Sequence, residues 1–266
     1  MILQKNKTAD EMYRAVGLWY NRKSHCFISG SELPLESFEI HLLKGVALFE
    51  GLKEDQIEAI RLEARRIELS RDAYLFYQGD SAERVHVLLE GSIKLTQVTL
   101  DGQQVLMRYI QPGEAFTILA ALDGIEYPAS AQATLDSEIL AWDRATFQAL
   151  MLKYPRIALN VLDVVAVHMR EFQDRLRELA TERVERRLAR TLLRLANQAG
   201  QRISEGVLIN LPLSRQDLAE MTGTTLYTVS RTLSQWENQG LVRSSREKVI
   251  ILKPHGLVTI AEDLPR

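Results

Sequence analysis

Hydroxyl, phenol and guanidinium groups line one side of the segment 225–238 when it is drawn with helical spacing. These groups belong to Thr225, Tyr227, Thr228, Ser230 and Arg231. Such side chains hydrogen-bond to the phosphate oxygens and to the base edges of DNA. The opposite side is apolar and carries Leu226, Val229, Leu233 and Trp236, which we expect to be buried. The segment therefore predicts a helix that packs on a core and offers a DNA-contacting face to solvent.

The residues just before this helix complete a helix-turn-helix pattern. Ser214 can cap a first helix, and Asp217 occupies the capping-box position three residues later. The small Ala219 suits the crossing of two helices, and Gly223 suits the tight turn between them. After Gly240, the run VRSSREKVIILK predicts two short strands that form a basic wing. A helical hairpin that serves packing alone is the alternative, but the whole pattern in this order favours DNA binding.

A long amphipathic helix is predicted between residues 155 and 180. Its apolar residues follow alternating steps of four and three: Ala158, Leu162, Val165, Met169, Phe172, Leu176 and Leu179. This is heptad spacing, and the charged positions predicted to face outwards are Arg170, Glu171, Asp174, Arg175, Arg177 and Glu178. An apolar stripe also occurs in helices of an ordinary core. The strict spacing favours a parallel dimer helix with the six residues from Leu162 onwards in the interface. Thr181 can cap the next helix, which is predicted to end at Gly200.

Short β-rich runs alternate with turn signals between Ile67 and Asp143. Asp101-Gly102 predicts a two-residue hairpin turn with positive φ at both positions. Many short strands with glycine corners indicate an antiparallel barrel or roll. The fold class is therefore α+β: an N-terminal antiparallel β-roll, a long dimerisation helix and a C-terminal winged helix-turn-helix. The predicted divisions are an N-terminal extension at 1–41, the roll at 42–154, the long helix at 155–180 and the winged part at 181–266.

Charge is distributed unevenly along the chain. Residues 1–180 carry 20 basic and 26 acidic side chains and residues 181–266 carry 13 and 9, so the net charge of −2 divides into −6 and +4. A basic C-terminal third on an acidic body indicates a nucleic-acid module joined to another domain. The single cysteine, Cys26, excludes an internal disulfide and a Cys-based zinc or iron–sulfur site within one chain. No apolar run has the length of a membrane span or a signal peptide, so a cytoplasmic protein without a membrane partner is expected.

Four segments resemble the CRP/FNR family of bacterial transcription regulators: LLEGSIKL at 88–95, PGE at 112–114, LSRQDLAEMTG at 213–223 and TVSR at 228–231. The resemblance runs from about Leu42 to the C-terminus and implies a homodimer that binds a palindromic double-stranded DNA site and, as an activator does, contacts RNA polymerase. It places Arg231 where it reads guanine O6 and N7, with Ser230 and Tyr227 at the other base-facing positions. Phosphate contacts are expected from Ser214, Arg215, Gln216, Thr225 and Thr228. Many members carry Glu where Tyr227 stands, so the usual half-site sequence is not carried over.

The segment 112–133 sets the chemistry of the expected effector pocket. Members of the family that bind cyclic AMP hold its ribose with a Gly-Glu pair and its phosphate with an Arg-Ser pair. Here Thr117-Ile118 and Pro128-Ala129 stand at or near those positions, and burying an unpaired phosphodiester charge is costly, so cyclic AMP is not the expected effector. The pocket is expected to consist of Phe116, Thr117, Ile118, Leu119, Leu122, Tyr127, Pro128 and Ala129.

This apolar pocket and the YPASA run resemble the nitric-oxide-responsive, haem-type branch of the family, the dissimilatory nitrate respiration regulators. A haem would need an axial ligand, for which the candidates are His168, His86 and His41, and also His25, Cys26 and Met107. The alternatives are an apolar effector without haem, a constitutive DNA-binding protein, and a ligand-binding redox protein whose basic domain serves another partner. No enzyme is expected, because the chain has no Gly-rich phosphate loop and no HExxH motif.

Overall fold

The computed structural model describes residues 35–263, so His25, Cys26 and most of the expected N-terminal extension lie outside the described residues. The helices are α1 (Leu35–Lys44), α2 (Glu54–Leu62), α3 (Ile118–Asp123), α4 (Arg144–Lys153), α5 (Pro155–Thr181), α6 (Val184–Ala199), α7 (Arg215–Thr222), α8 (Leu226–Asn238) and α9 (Pro254–Glu262), with a 3-10 helix at Ala47–Phe49. The strands are β1 (Arg65–Leu69), β2 (Tyr74–Phe76), β3 (Arg84–Glu90), β4 (Ile93–Val98), β5 (Gln104–Ile110), β6 (Ala115–Phe116), β7 (Ser130–Ala133), β8 (Ser137–Asp143), β9 (Gly200–Ile203), β10 (Gly206–Ile209), β11 (Val242–Ser244) and β12 (Val249–Ile251). This architecture confirms the predicted α+β class.

Two four-stranded antiparallel sheets form the roll, which we define as β1–β8 with α1–α4. Their strand orders are β1-β8-β3-β6 and β2-β7-β4-β5. The hairpin between β4 and β5 differs from the predicted two-residue turn, because only Gly102 has a positive φ, of 76°. The amide of Gly102 donates to the carbonyl of Thr99, and the amide of Thr99 donates to the carbonyl of Gln103. This is the three-residue loop with a glycine bulge that also follows the right-handed twist of the strands.

Strand β3 separates two cores because its side chains alternate between the two faces of its sheet. Val85, Val87 and Leu89 pack against the helices on the outside of that sheet. Leu88 packs between the two sheets. His86 shares this inner side, where its ring lies 5.2 Å from the ring of Phe116. The alternation therefore places a buried imidazole in the apolar interior of the roll.

The long helix α5 begins with Pro155 at its first turn, where the missing amide of proline costs no hydrogen bond. Its first half is fixed to the roll by the buried Asn160, whose amide donates to the carbonyls of Leu48 and Glu50, each at 2.9 Å. The helix continues through Thr181, so the prediction that Thr181 caps the next helix is wrong. Its hydroxyl instead donates to the carbonyl of Arg177, and Arg183 occupies the cap position of α6.

The C-terminal part, which we call the head, consists of α6–α9 and a sheet of order β11-β12-β10-β9. The predicted wing corresponds to β11 and β12, which pair through Val242↔Ile251 and Ser244↔Val249. The hairpin of β9 and β10 was not predicted from the sequence. It extends the wing sheet because β10 pairs with β12.

Candidate nucleic-acid interface and effector cavity

The helix-turn-helix is built by local hydrogen bonds that the sequence encodes. The hydroxyl of Ser214 accepts from the amide of Asp217 at 3.0 Å, and the carboxylate of Asp217 accepts from the amide of Ser214 at 2.8 Å, which confirms the predicted capping box. Gly223 ends α7 in the left-handed region at φ 60°. A Cβ at Gly223 would lie 3.1 Å from a terminal methyl of Leu179 in α5, which would have to shift by a few tenths of an ångström. The cap and the turn therefore fix the angle at which α8 leaves α7.

The outward face of α8 is open to solvent. Tyr227 is 74% exposed, and Arg231 is exposed and makes no hydrogen bond or ion pair with any residue that the structure describes. Leu226 was predicted to be buried but is 48% exposed, because it stands in the first turn of α8 beyond the reach of the core. Val229, Leu233 and Trp236 are buried as predicted. An uncommitted guanidinium and a phenol thus project from the same solvent-facing surface.

Most of the other predicted DNA-contacting residues have side-chain partners within the head. The hydroxyl of Thr225 accepts from the amide of Thr228 at 3.2 Å and caps α8. The hydroxyl of Ser214 donates to Asp217 at 2.6 Å, and the guanidinium of Arg215 donates to the hydroxyl of Ser244 in the wing at 3.0 Å. The amide of Gln216 donates to Glu220, and Ser230 is half-buried. These contacts hold the polar groups around the N-termini of α7 and α8, where backbone amides also face solvent.

The head is joined to the roll through β5. Leu106 and Tyr109 of β5 belong to the hydrophobic core of the head, and the hydroxyl of Tyr109 donates to the carbonyl of Pro212 at 3.2 Å. The guanidinium of Arg175 donates to the carbonyl of Met107 in β5 at 2.6 Å and to that of Met221 in α7 at 2.9 Å. One side chain of α5 therefore binds the roll and the head together.

This arrangement corrects two of the outward positions predicted from the heptad spacing. Arg175 is half-buried, and burial lowers its pKa, with Arg194 contributing. Glu178 is 4% exposed and accepts two hydrogen bonds from Arg194 of α6, at 2.6 and 2.8 Å. Heptad spacing predicts a helix with one packed face. The C-terminal half of α5 has a second packed face, because it also contacts the roll and the head.

A chain of polar contacts runs from α5 through the roll to the head. Arg108 of β5 donates to Nε2 of His168 at 2.7 Å and forms an ion pair with Glu114. Gln198 of α6 donates to the same carboxylate at 3.0 Å and to the carbonyl of Tyr109 at 2.9 Å. Because a guanidinium can only donate, Nε2 of His168 is the acceptor and the ring is neutral. Burial and the charge of Arg108 accordingly lower the pKa of His168.

Aromatic rings fill the interior of the roll around His86. Phe76 and Tyr127 stack with their ring centroids 3.8 Å apart, and Phe116 lies on another side of the imidazole. The Nδ1 atom of His86 lies 2.9 Å from the hydroxyl of Thr117. A cavity of about 330 Å³ opens beside this cluster, and its walls include His86 and Tyr127.

The predicted pocket residues are only partly brought together. Phe116, Thr117 and Tyr127 surround His86, whereas Ile118 packs in the core on the outer side of the sheet. Leu119 is 57% exposed and Pro128 is exposed, while Leu122 and Ala129 are half-buried. Thr117 has φ 66°, in the left-handed region that a β-branched residue rarely adopts. The hydroxyl of Thr117 donates to the carbonyl of Arg84 at 2.8 Å, and this hydrogen bond stabilises the strained conformation.

The candidate haem ligands occupy separate places. His86 lies inside the roll, His168 lies against Arg108, and His41 is exposed on α1. Met107 is partly exposed, and its carbonyl accepts from Arg175. Within residues 35–263, no group of three or more His, Cys, Asp or Glu side chains is arranged to hold a metal ion.

One face of α5 carries a row of exposed apolar side chains. Five of the six predicted interface residues are 47–65% exposed: Leu162, Met169, Phe172, Leu176 and Leu179. Val165 is half-buried because it also packs on the core outside the first sheet. We call these six residues the α5 seam. In the described part of the chain, no helix is long and apolar enough to cross a membrane.

Comparison with known proteins agrees with this architecture. Residues 66–154 match the model of a cyclic nucleotide-binding domain, and residues 186–260 match that of a Crp-like helix-turn-helix domain. The "Cyclic AMP receptor protein" of Thermus thermophilus is 31% identical over 201 residues, which cover 76% of this chain and 90% of that protein. The chain belongs to the CRP/FNR family of transcription regulators. Membership makes it a DNA-binding regulator, and its relatives are regulators rather than enzymes.

Two further proteins match a similar share of this chain at lower identity. The "Anaerobic regulatory protein" of Bacillus subtilis is 25% identical over 202 residues, covering 76% of this chain and 85% of that protein. Among solved structures, FixK2 from Bradyrhizobium japonicum covers 74% of this chain and 96% of its own length, with a TM-score of 0.66 and 22% identity. That likeness supports the fold alone.

Sequence reasoning missed the residues that join the roll to the head. Tyr109 lies in an ordinary alternating strand, and Arg108, which precedes it, is the charged residue of β5. The only available signal for Arg175 was its position opposite the apolar stripe of α5, which is also what a solvated arginine shows. Their roles depend on the packing of β5 against the head. This is a tertiary contact, which the local sequence does not show.

Proposed function

We propose that the protein is a homodimeric CRP/FNR-type regulator whose two heads bind a palindromic DNA site and whose roll binds a small effector other than cyclic AMP. The observation that carries the DNA-binding surface is the outward face of α8, where Arg231 and Tyr227 are exposed and Arg231 has no intramolecular partner in the described chain. Arg231 reads guanine by donating to O6 and N7. Tyr227 and Ser230 contact neighbouring bases, while Thr225, Thr228, Ser214, Arg215 and Gln216 contact phosphates.

Dimerisation is supported by the α5 seam. Exposed Leu, Met and Phe side chains at heptad spacing lower their free energy by packing against a second copy of the same stripe. Two parallel copies of α5 would bring the two Arg231 helices to consecutive major grooves, about 34 Å apart. RNA polymerase is the further partner proposed from family membership.

Gating by an effector is supported by the contacts between the roll and the head. Because Tyr109, Arg175 and the hydrogen bond from Gln198 to Glu114 connect the two parts, a change inside the roll alters the surface on which the head rests. Cyclic AMP is a poor fit, since the Thr117 hydroxyl is engaged with Arg84 and the side chain of Ile118 is buried in the outer core. The relative from Thermus thermophilus carries cyclic AMP in its name, and this chain is proposed to differ from it.

Haem is the second candidate for the effector, and one observation favours it. His86 is an imidazole inside an aromatic cluster and beside a cavity, which is the setting of a haem ligand. Reconstitution with hemin tests this reading of the nitric-oxide-responsive branch. A Soret band that is lost in His86→Phe would support it, and the absence of a band from the wild-type protein would remove it.

Selection of binding sites from a random duplex pool tests the proposed function and also identifies the half-site sequence. A palindrome with half-site centres one helical turn apart is expected, and the logarithm of its binding constant should fall linearly with that of the salt concentration. Recovery of single, unpaired half-sites would contradict the dimeric arrangement. Unselective binding would contradict sequence recognition by α8.

A further inference from the structure

The two ring nitrogens of His86 are in different states. The hydroxyl of Thr117 has one hydrogen and lies within hydrogen-bond distance of two carbonyls that can only accept, that of Arg84 at 2.8 Å and that of Phe116, so the hydroxyl donates to a carbonyl. Its lone pairs then face Nδ1 of His86, at 2.9 Å, and Nδ1 must carry the proton of the ring. Nε2 is therefore a bare acceptor, and it makes no hydrogen bond with the described residues.

The surroundings keep the imidazole in this neutral form. His86 is 3% exposed, so its charged form would lose nearly all hydration. This burial, reinforced by the nearby charge of Arg84, lowers the pKa of His86 to about 3. At neutral pH the ring can accept a hydrogen bond from a ligand but cannot pair with an anion.

The cavity beside His86 selects against charge and favours an aromatic guest. Its lining includes Phe76, Tyr127, Leu75 and the ring of His86, and its volume of about 330 Å³ is that of a small-molecule site. Asp80 and Glu83 also line the cavity, and the guanidinium of the lining residue Arg84 donates to Asp143 at 2.9 Å. An incoming anion would meet two carboxylates and no uncommitted cation from the cavity lining.

We propose that this cavity binds a small, uncharged aromatic alcohol, whose hydroxyl donates to Nε2 of His86 and whose ring packs against Phe76 and Tyr127. The ligand supplies a hydrogen-bond donor to Nε2, which makes no hydrogen bond with the described residues. This proposal rests on the proposed function, because the aromatic alcohol is the effector of the proposed regulator.

The position of the cavity gives the ligand a short route to the head. His86 is the direct strand partner of Phe116 in β6, and Glu114 precedes this strand by one residue. Glu114 accepts from Gln198 of α6. Displacement of β6 by a bound ring therefore moves a carboxylate that contacts the head.

Titration of the full-length protein with phenol, anisole and benzoate tests the assignment. Isotope-labelled histidine reports directly on Nε2, whose resonance should shift as phenol is added. Phenol should bind about threefold to tenfold more tightly than anisole, which has the same ring and oxygen but no donor. Benzoate should bind more weakly than either. Equal affinity for phenol and anisole, or tighter binding of benzoate, would overturn the proposal.

Three variants separate the role of His86 from a general loss of folding. His86→Phe keeps a ring of similar size and should remove the preference for phenol, whereas His41→Phe, at an exposed site, should leave it unchanged. Thr117→Gly suits the left-handed backbone and releases Nδ1, so the preference should fall while the fold persists. Retention of the full preference by both cavity variants would refute the role of Nε2.

Measurements without DNA keep this test independent of the proposed function. If phenol binds as expected but no duplex is selected, the ligand site is supported and the proposed DNA-binding function is refuted. If a palindrome is selected but phenol and anisole bind alike, the proposed DNA-binding function is supported and the proposed class of ligand is refuted.

Discussion

Truncation of Leu176 in the α5 seam should weaken the homodimer. Leu176 is 58% exposed, and it lies between the exposed Phe172 and Leu179. Full burial of a leucine side chain is worth about 1.5–3 kcal/mol, so covering the exposed part is worth about 1–2 kcal/mol in each copy. Because a parallel dimer contains the residue twice, Leu176→Ala should cost about 2–3.5 kcal/mol of association free energy. The dimer dissociation constant should then rise by about 30- to 300-fold.

Sedimentation equilibrium over a range of protein concentrations measures this constant directly. The matched control is Leu152→Ala, because Leu152 is 84% exposed but stands on α4, away from the α5 seam. The control should dimerise like the wild-type protein. Affinity of the Leu176→Ala variant for the palindrome should fall at low protein concentration and recover when the concentration exceeds the new dissociation constant.

The reasoning is refuted if Leu176→Ala and Leu152→Ala have the same dimer dissociation constant. It is also refuted if the wild-type protein stays monomeric at concentrations at which it binds the palindrome with full affinity. Either result would mean that the exposed stripe of α5 has another role than self-association.

The junction between roll and head, the buried imidazole and the effector give three more predictions. Arg175→Met loses two charge-assisted hydrogen bonds, one to the roll and one to the head, and should lower the free energy of unfolding measured in urea by about 2–4 kcal/mol. The control is Arg177→Met, which removes only an exposed ion pair and should change this free energy by less than about 1 kcal/mol. His86 stays neutral when folded, with a pKa lowered by burial to about 3, but titrates near 6.5 when unfolded, so the free energy of unfolding should fall as pH drops below about 6.5. At about pH 5 the loss should be about 2 kcal/mol larger in the wild type and in His41→Phe than in His86→Phe; equal losses in all three would contradict this. Cyclic AMP should leave the anisotropy-measured affinity for the palindrome unchanged, and an increase would show that the pocket accepts a phosphodiester.

Local patterns carried most of what the sequence predicted. The capping box of Ser214 and Asp217 and the turn at Gly223 depend on residues within ten positions of one another, so the helix-turn-helix followed from spacing alone. The alternation of β3 is equally local, and it puts His86 on the side opposite Val85 and Val87. These features depend only on neighbours along the chain, whichever distant segment packs against them.

Long-range contacts explain what the sequence could not show. Arg175 satisfies the same heptad pattern whether it is solvated or bound to two backbone carbonyls, and only the docking of the head on β5 decides between them. Leu119 and Pro128 fit an apolar pocket by composition, yet Leu119 lies on the exposed side of α3 and Pro128 is exposed in the loop before β7. Thr181 is a good capping residue, but α5 continues through it because the cap position falls two residues later.

The most direct test of the central claim is the affinity of Arg231→Ala for the selected palindrome and for random duplex at one salt concentration. Arg202→Ala is the matched control, because Arg202 is exposed on β9, at the edge of the wing sheet opposite to β11. Loss of the contact to guanine should weaken specific binding by about 1–3 kcal/mol and change non-specific binding much less. If Arg231→Ala keeps the full affinity of the wild-type protein for the palindrome, α8 does not read the DNA through this residue.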